Sequence, residues 1–186
     1  MFDRRALLAL SGLAGCAVVA AWMRWPKSAL GFGPVSLGQK RADVLTGLGP
    51  GFFAQDLCGG MLGVLYNVRD PGFPTSDGDA MPVMAMFGPS GEHVSEISAS
   101  LSWPNGGMSL GNWHALVIAQ EAEIGRRIAA SPNVSSTQDD DIAIEMSRVF
   151  RANGATVTLR SRWMRRSGAA FSQIHLLAAG QTRVIA

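Results

Sequence analysis

Between residues 96 and 103 the side chains change character at every step. Ile97, Ala99, Leu101 and Trp103 alternate with Glu96, Ser98, Ser100 and Ser102. A period of two predicts a strand with one apolar and one wet face. The same period recurs at Leu62, Val64, Tyr66 and Val68, and again at Ile142, Ile144 and Met146. It returns at Val157, Leu159, Ser161 and Trp163, interleaved with Thr158, Arg160 and Arg162. Val83 to Phe87 and Phe171 to Leu177 are short runs that also read as strands.

Two stretches carry a helical period instead. In residues 39–48, Val44, Leu45 and Leu48 share one face, and Gly49-Pro50 is a stop signal. From Trp113 to Ala130 the apolar face is Trp113, Leu116, Val117, Gln120, Ile124 and Ile128. Asn112 is the expected N-cap. Glu123 and Arg127 are spaced to pair on the outer side, and Pro132 ends the helix. Asn153-Gly154 and Ser167-Gly168 are hairpin turn signals. Residues 69–80, with Pro71, Gly72, Pro74, Gly78 and several Asp, read as a polar loop, expected to be the most mobile segment.

The predicted order is therefore helix, three strands, helix, three strands. Short turns join strands antiparallel, which excludes a doubly wound nucleotide fold. A helix must cover the apolar face of a sheet, so the expected class is α+β: a two-layer sandwich of helices on an antiparallel sheet, each half a candidate αβββ unit of a tandem repeat. Residues 24–38, rich in Gly, Pro and Ser, read as a linker ahead of a single domain, 39–186.

Composition narrows the class. The chain has 186 residues, 47% of them hydrophobic and 16% charged, with a net charge of +2. That supports a sizeable core and excludes a disordered chain. Only one run is apolar enough to enter a bilayer, and it opens the sequence. Arg4-Arg5 precedes the stretch from Ala6 to Met23, the layout of an export signal or membrane anchor over residues 1–23. Leu13-Ala14-Gly15-Cys16 resembles the lipobox of bacterial lipoproteins, which implies cleavage before Cys16 and acylation of its thiol. Arg4-Arg5-Ala6-Leu7-Leu8 resembles a twin-arginine export signal. The alternative is an uncleaved anchor: the apolar run continues past Cys16, and Trp22 and Trp25 sit where an interfacial aromatic belt lies. A plain cleaved signal is the third. All three place the domain on the periplasmic side of a bacterial envelope membrane.

Val35-Ser36-Leu37-Gly38-Gln39-Lys40-Arg41-Ala42-Asp43-Val44-Leu45-Thr46-Gly47-Leu48-Gly49-Pro50 resembles the opening helix of small outer-membrane lipoproteins of the SmpA/OmlA (BamE) type. In that family a similar segment precedes an antiparallel sheet, and the secreted β-lactamase inhibitor proteins duplicate a related unit. The resemblance covers about sixteen residues and the coarse element order. It implies a protein-binding module and carries no site residues with it.

Three features suggest chemistry. Gly107-Met108-Ser109-Leu110-Gly111 is a Gly-x-Ser-x-Gly sequence ahead of a helix, followed by Asp139-Asp140-Asp141 and then His175, the chain order of α/β-hydrolase triads. Ser109 would attack, His175 would take its proton and Asp140 would orient the ring. Against this, Pro104 to Gly107 separate Ser109 from the preceding strand, and the helices are too few for a parallel sheet. The second feature is the basic stretch Arg160, Arg162, Trp163, Arg165 and Arg166, which fits an anionic partner or simply a solvated strand face in a chain with two Lys and fourteen Arg. The third is Cys58, a buried small hydrophobe or a reactive thiol. His93, His114, His175 and Cys58 lack metal-ligand spacing, and the Asp run lacks the spacing of a calcium loop, so no metal or cofactor is expected. The net charge is too low for nucleic acid.

The sequence points to a membrane-anchored periplasmic module that binds an envelope protein without catalysis, in assembly, inhibition or immunity, through exposed strand faces and loop 69–80. The alternative is a small anchored serine hydrolase.

Overall fold

The alternating stretches form strands, and every strand pair is antiparallel. A computed structural model describes residues 30–49, 53–57, 61–69, 73, 80–103, 107–152 and 154–179. The segment 1–23, Cys16, Cys58 and most of loop 69–80 lie outside these residues.

The described chain opens with a short hairpin, β1 (Gly31–Phe32) and β2 (Val35–Ser36), inside the stretch read as linker. Its turn needs Gly33, at φ +58°; a Cβ there would also press to 3.0 Å from Val68. Helix α1 (Arg41–Leu48) follows, then β3 (Phe53–Leu57), β4 (Met61–Val68), β5 (Met81–Phe87) and β6 (Val94–Trp103). Helix α2 (Leu110–Ile128) leads into β7 (Val134–Asp139), β8 (Ala143–Ala152), β9 (Ala155–Met164) and β10 (Ala170–Ala178). The protein is thus mixed α+β with one large antiparallel sheet.

Each helix precedes four strands, not the three expected from the pattern. The additions are β3 and β7. All six residues of β7 are exposed, so Val134-Ser135-Ser136-Thr137-Gln138-Asp139 has no buried face to impose alternation. In space the eight strands run β3-β4-β5-β6-β10-β9-β8-β7. The last strand of each half meets the other at the centre, with Trp103 opposite Ala170 and Glu96 opposite Leu177.

Register places the apolar positions on one face. Tyr66 pairs with Val83, Val83 with Ala99, Ala99 with Ile174, Ile174 with Leu159, and all five are buried in one cluster. Val44 of α1 and Trp113, Val117, Ile124 and Ile128 of α2 join that cluster. The Trp113 ring N–H donates to Ser161 Oγ at 2.8 Å, and Ser161 Oγ donates to the Phe171 carbonyl at 3.0 Å. Arg148 of β8 binds Glu121 of α2 at 2.9 Å, so α2 lies over β8 and β9. The Tyr66 hydroxyl donates to the Phe32 carbonyl at 2.9 Å and ties the β1–β2 hairpin to β4. Burial raises the Tyr66 pKa, because the phenolate would lose its hydration.

Helix α2 starts earlier than expected, and its cap is different. Ser109 is the N-cap, with its Oγ accepting from the Asn112 N–H at 3.1 Å; Asn112 is inside the first turn. Both residues are good caps, and the one that reaches the free N–H three positions on is the serine.

Candidate functional site

The face away from the helices is polar over its central and distal strands. Strict alternation puts there the residues that fall between core positions: Glu96, Ser98, Ser100 and Ser102 from β6; Phe171, Gln173 and His175 from β10; Thr158, Arg160 and Arg162 from β9; Glu145 and Ser147 from β8; Ser136 and Gln138 from β7. Two adjoining open hollows, of about 370 and 340 Å³, share Glu145, Arg160 and Gln173 and form one groove.

Cross-strand register sets the groove's floor. Ser102, Phe171 and Arg162 form one row across β6, β10 and β9; Ser100, Gln173 and Arg160 form the next. Glu145 stands directly opposite Arg162 on β8. Its carboxylate nevertheless takes the diagonal partner, with Arg160 Nε donating to Glu145 Oε1 at 2.6 Å. Arg162 is exposed, and its side chain makes no hydrogen bond to any described residue. Phe171 beside it is 42% exposed. Gln173 Nε2 donates to Ser98 Oγ at 3.2 Å, and the groove runs on past it to His175.

His175 holds a buried partner. Its Nε2 lies 2.5 Å from Glu96 Oε1, with Glu96 3% and His175 7% exposed. Glu96 Oε2 has no hydrogen-bond partner among the described residues.

No family model, curated protein or solved structure matches this chain.

Of the basic stretch, Arg160 and Arg162 line the groove and the other residues leave it. Trp163 points to the helix-bearing face, where its ring N–H donates to the Met108 carbonyl at 2.9 Å. Arg165, in the turn after β9, is held by the Asp140 carbonyl, at 2.7 Å from Nε, and by the Asp139 carboxylate. Arg166 is exposed in the same turn.

Ser109, His175 and Asp140 are not brought together. His175 pairs in register with Thr158, while Met108 next to Ser109 touches Trp163, five residues along β9 and on the opposite face. Five strand residues span about 17 Å. Asp140 Oδ1 accepts from the Ala143 and Ile142 N–H groups, each at 2.8 Å, in the β7–β8 turn. Those two donors hold its pKa below the ordinary carboxylate value. Its role there is to close a turn.

Sequence reasoning missed Glu96 as the partner of His175. The two lie on strands from different halves of the chain, and alternation marked Glu96 as a wet position. The available signal was a carboxylate at the start of a strand whose other wet positions are all serines. Among the described residues no helix is long and apolar enough to cross a membrane, and no three His, Cys, Asp or Glu side chains converge as metal ligands do.

Proposed function

We propose that the chain is a non-catalytic protein-binding module of the bacterial envelope, tethered to a membrane by residues 1–23 and presenting residues 39–186 on the periplasmic side. The observation that carries this reading is the uncovered sheet face. Both helices contribute to one core, and the opposite face keeps an open polar groove crossing β6, β10, β9, β8 and β7. A broad, hydrogen-bonding surface of this kind suits a protein partner better than a small substrate, for which a deeper and more apolar cleft is usual. Tethering rests on the basic pair Arg4-Arg5 and the apolar run behind it, with lipidation at Cys16 and an uncleaved anchor as its two forms.

The architecture is read as a two-layer sandwich built from two tandem units, each a helix followed by four antiparallel strands, joined where β6 meets β10. That reading agrees with the resemblance of residues 35–50 to the SmpA/OmlA type and with a role in assembly, inhibition or immunity.

Site-specific photocrosslinking in envelope-bearing cells tests it. A benzoylphenylalanine at position 102, in the groove, is expected to give a discrete protein adduct. The same residue in place of Ala122, exposed on α2, is expected to give none. Absence of an adduct from the groove overturns the proposal. Mass spectrometry of the mature N-terminus separates lipidation at Cys16 from a retained anchor.

A further inference from the structure

We infer that the Arg162 end of the groove is a carboxylate-binding subsite, and that the segment it receives is an acidic, extended stretch of a partner protein. The inference rests on the protein-binding reading above and adds the chemistry of the occupant.

Arg162 is the anchor because its cross-strand neighbour is taken. Glu145, directly opposite across the β8–β9 ladder, is hydrogen-bonded to Arg160 instead. The Arg162 guanidinium therefore keeps its fork of donors for a ligand, and that planar fork matches a carboxylate in two parallel bonds. The charge count around it is small. Arg160 is neutralised by Glu145, and Asp140 is close enough to feel Arg162 electrostatically. Among the described residues lining the groove, Arg162 is the cation without a hydrogen-bonded carboxylate, and that open position takes one carboxylate group. A phosphate-rich membrane surface or a polyanionic glycan would meet Glu145 and Asp140 as well, and those repel it.

The neighbours fit a peptide. Phe171, in the same row as Arg162, exposes an aromatic ring that can cover an apolar side chain flanking the acidic one. One row on, Arg160, Gln173 and Ser100 offer donors and acceptors. The rows are two residues apart along each strand, about 7 Å, which is the spacing of residues i and i+2 in an extended peptide. An extended segment lying along β9 and β10 thus places a carboxylate on Arg162 and a polar side chain on the Gln173 row. The hollow of about 370 Å³ has room for these side chains.

The experiment pans a random phage-displayed peptide library against the full chain in detergent micelles. Selected peptides are expected to be enriched in Asp or Glu next to an apolar residue. Arg162→Glu is expected to weaken the synthesised peptides about tenfold, and Phe171→Ser by a smaller factor. Arg166→Glu makes the same charge change in the β9–β10 turn and is expected to leave binding unchanged. Selected peptides without acidic enrichment, no selection at all, or equal losses from Arg162→Glu and Arg166→Glu overturn the inference. So does Arg162-dependent binding of phosphatidylglycerol vesicles by a chain that takes no acidic peptide. A groove crosslink in cells combined with failure of the acidic peptides sinks this inference alone. Loss of the crosslink sinks the binding reading itself.

Discussion

His175 and Glu96 face each other across the seam between β10 and β6, 2.5 Å apart, on the side of the sheet that carries no helix. Among the described residues they are the most deeply buried ion pair on that face, and each satisfies a polar atom of the other. Removing one strands its partner. His175→Leu is therefore expected to cost about 3 kcal/mol, because the Glu96 carboxyl stays buried with neither oxygen bonded. The double variant Glu96→Leu/His175→Leu is expected to lose less than the sum of the two single changes. Urea unfolding of the four proteins measures the coupling; additive losses refute it.

Ser109 caps α2 through its hydroxyl. Ser109→Ala is expected to cost about 1 kcal/mol, and Ser109→Asp to restore most of it, since a carboxylate also accepts from the first-turn N–H groups and favours the helix N-terminus. In a chain this size the alanine variant should melt about 2–4 °C lower. A fluorophosphonate probe is expected to leave the folded protein unlabelled. Labelling that disappears in Ser109→Ala would reinstate the serine-hydrolase alternative.

Trp113 is 1% exposed, and its ring nitrogen is the link from α2 to Ser161 and through it to Ser172. Trp113→Phe keeps most of the apolar volume and removes the donor. The expected loss is about 1–2 kcal/mol, with Trp113→Ala costing about 3–5 kcal/mol through the cavity it leaves. Equal stability of the phenylalanine variant and the parent would show that the Ser161 bond contributes nothing net.

Glu123 accepts from Arg126, at 2.8 and 2.6 Å, and from Arg127 at 2.7 Å. The Arg126 bonds, reinforced by Arg127, lower its pKa from 4.5 to about 2. A carboxyl with a depressed folded-state pKa stabilises the protein above its unfolded value and loses that stabilisation as pH falls through the folded one. Both arginines are partly in solvent, so the contribution is about 0.5 kcal/mol. Melting curves of parent and Glu123→Gln are expected to differ at pH 7 and to converge as pH drops from 4.5 toward 2. A difference that persists at the acid end contradicts the assignment.

Much of the sheet could be read from side-chain alternation alone, for a physical reason. Ile97, Leu159 and Val157 face a buried layer, so burial writes the period into the sequence. Helix α2 was legible for the same reason, through Trp113, Val117, Gln120, Ile124 and Ile128. Ile142 misled: it continues the spacing of Ile144 and Met146, yet it lies before β8 in the turn and is 60% exposed. Strand β7 left no trace, because an edge strand exposed on both faces carries no pattern. The groove was half legible. Arg160 and Arg162 stood out as wet residues of β9, but adjacency in sequence also swept in Trp163 and Arg165, which point elsewhere. Phe171 and Ser102 join Arg162 through the pairing of distant strands, which no local pattern reports.

The central position of β10 has a consequence for how the molecule is made. Strand β10, the last of the described strands, lies between β6 and β9. Until it arrives, the first half presents an unpaired β6 edge, and the second half ends in an open β9. Neither half can finish its hydrogen bonding before β10 has been made. Maturation is therefore a closing event that waits for β10, and the interval before it is when a holding chaperone has most to protect.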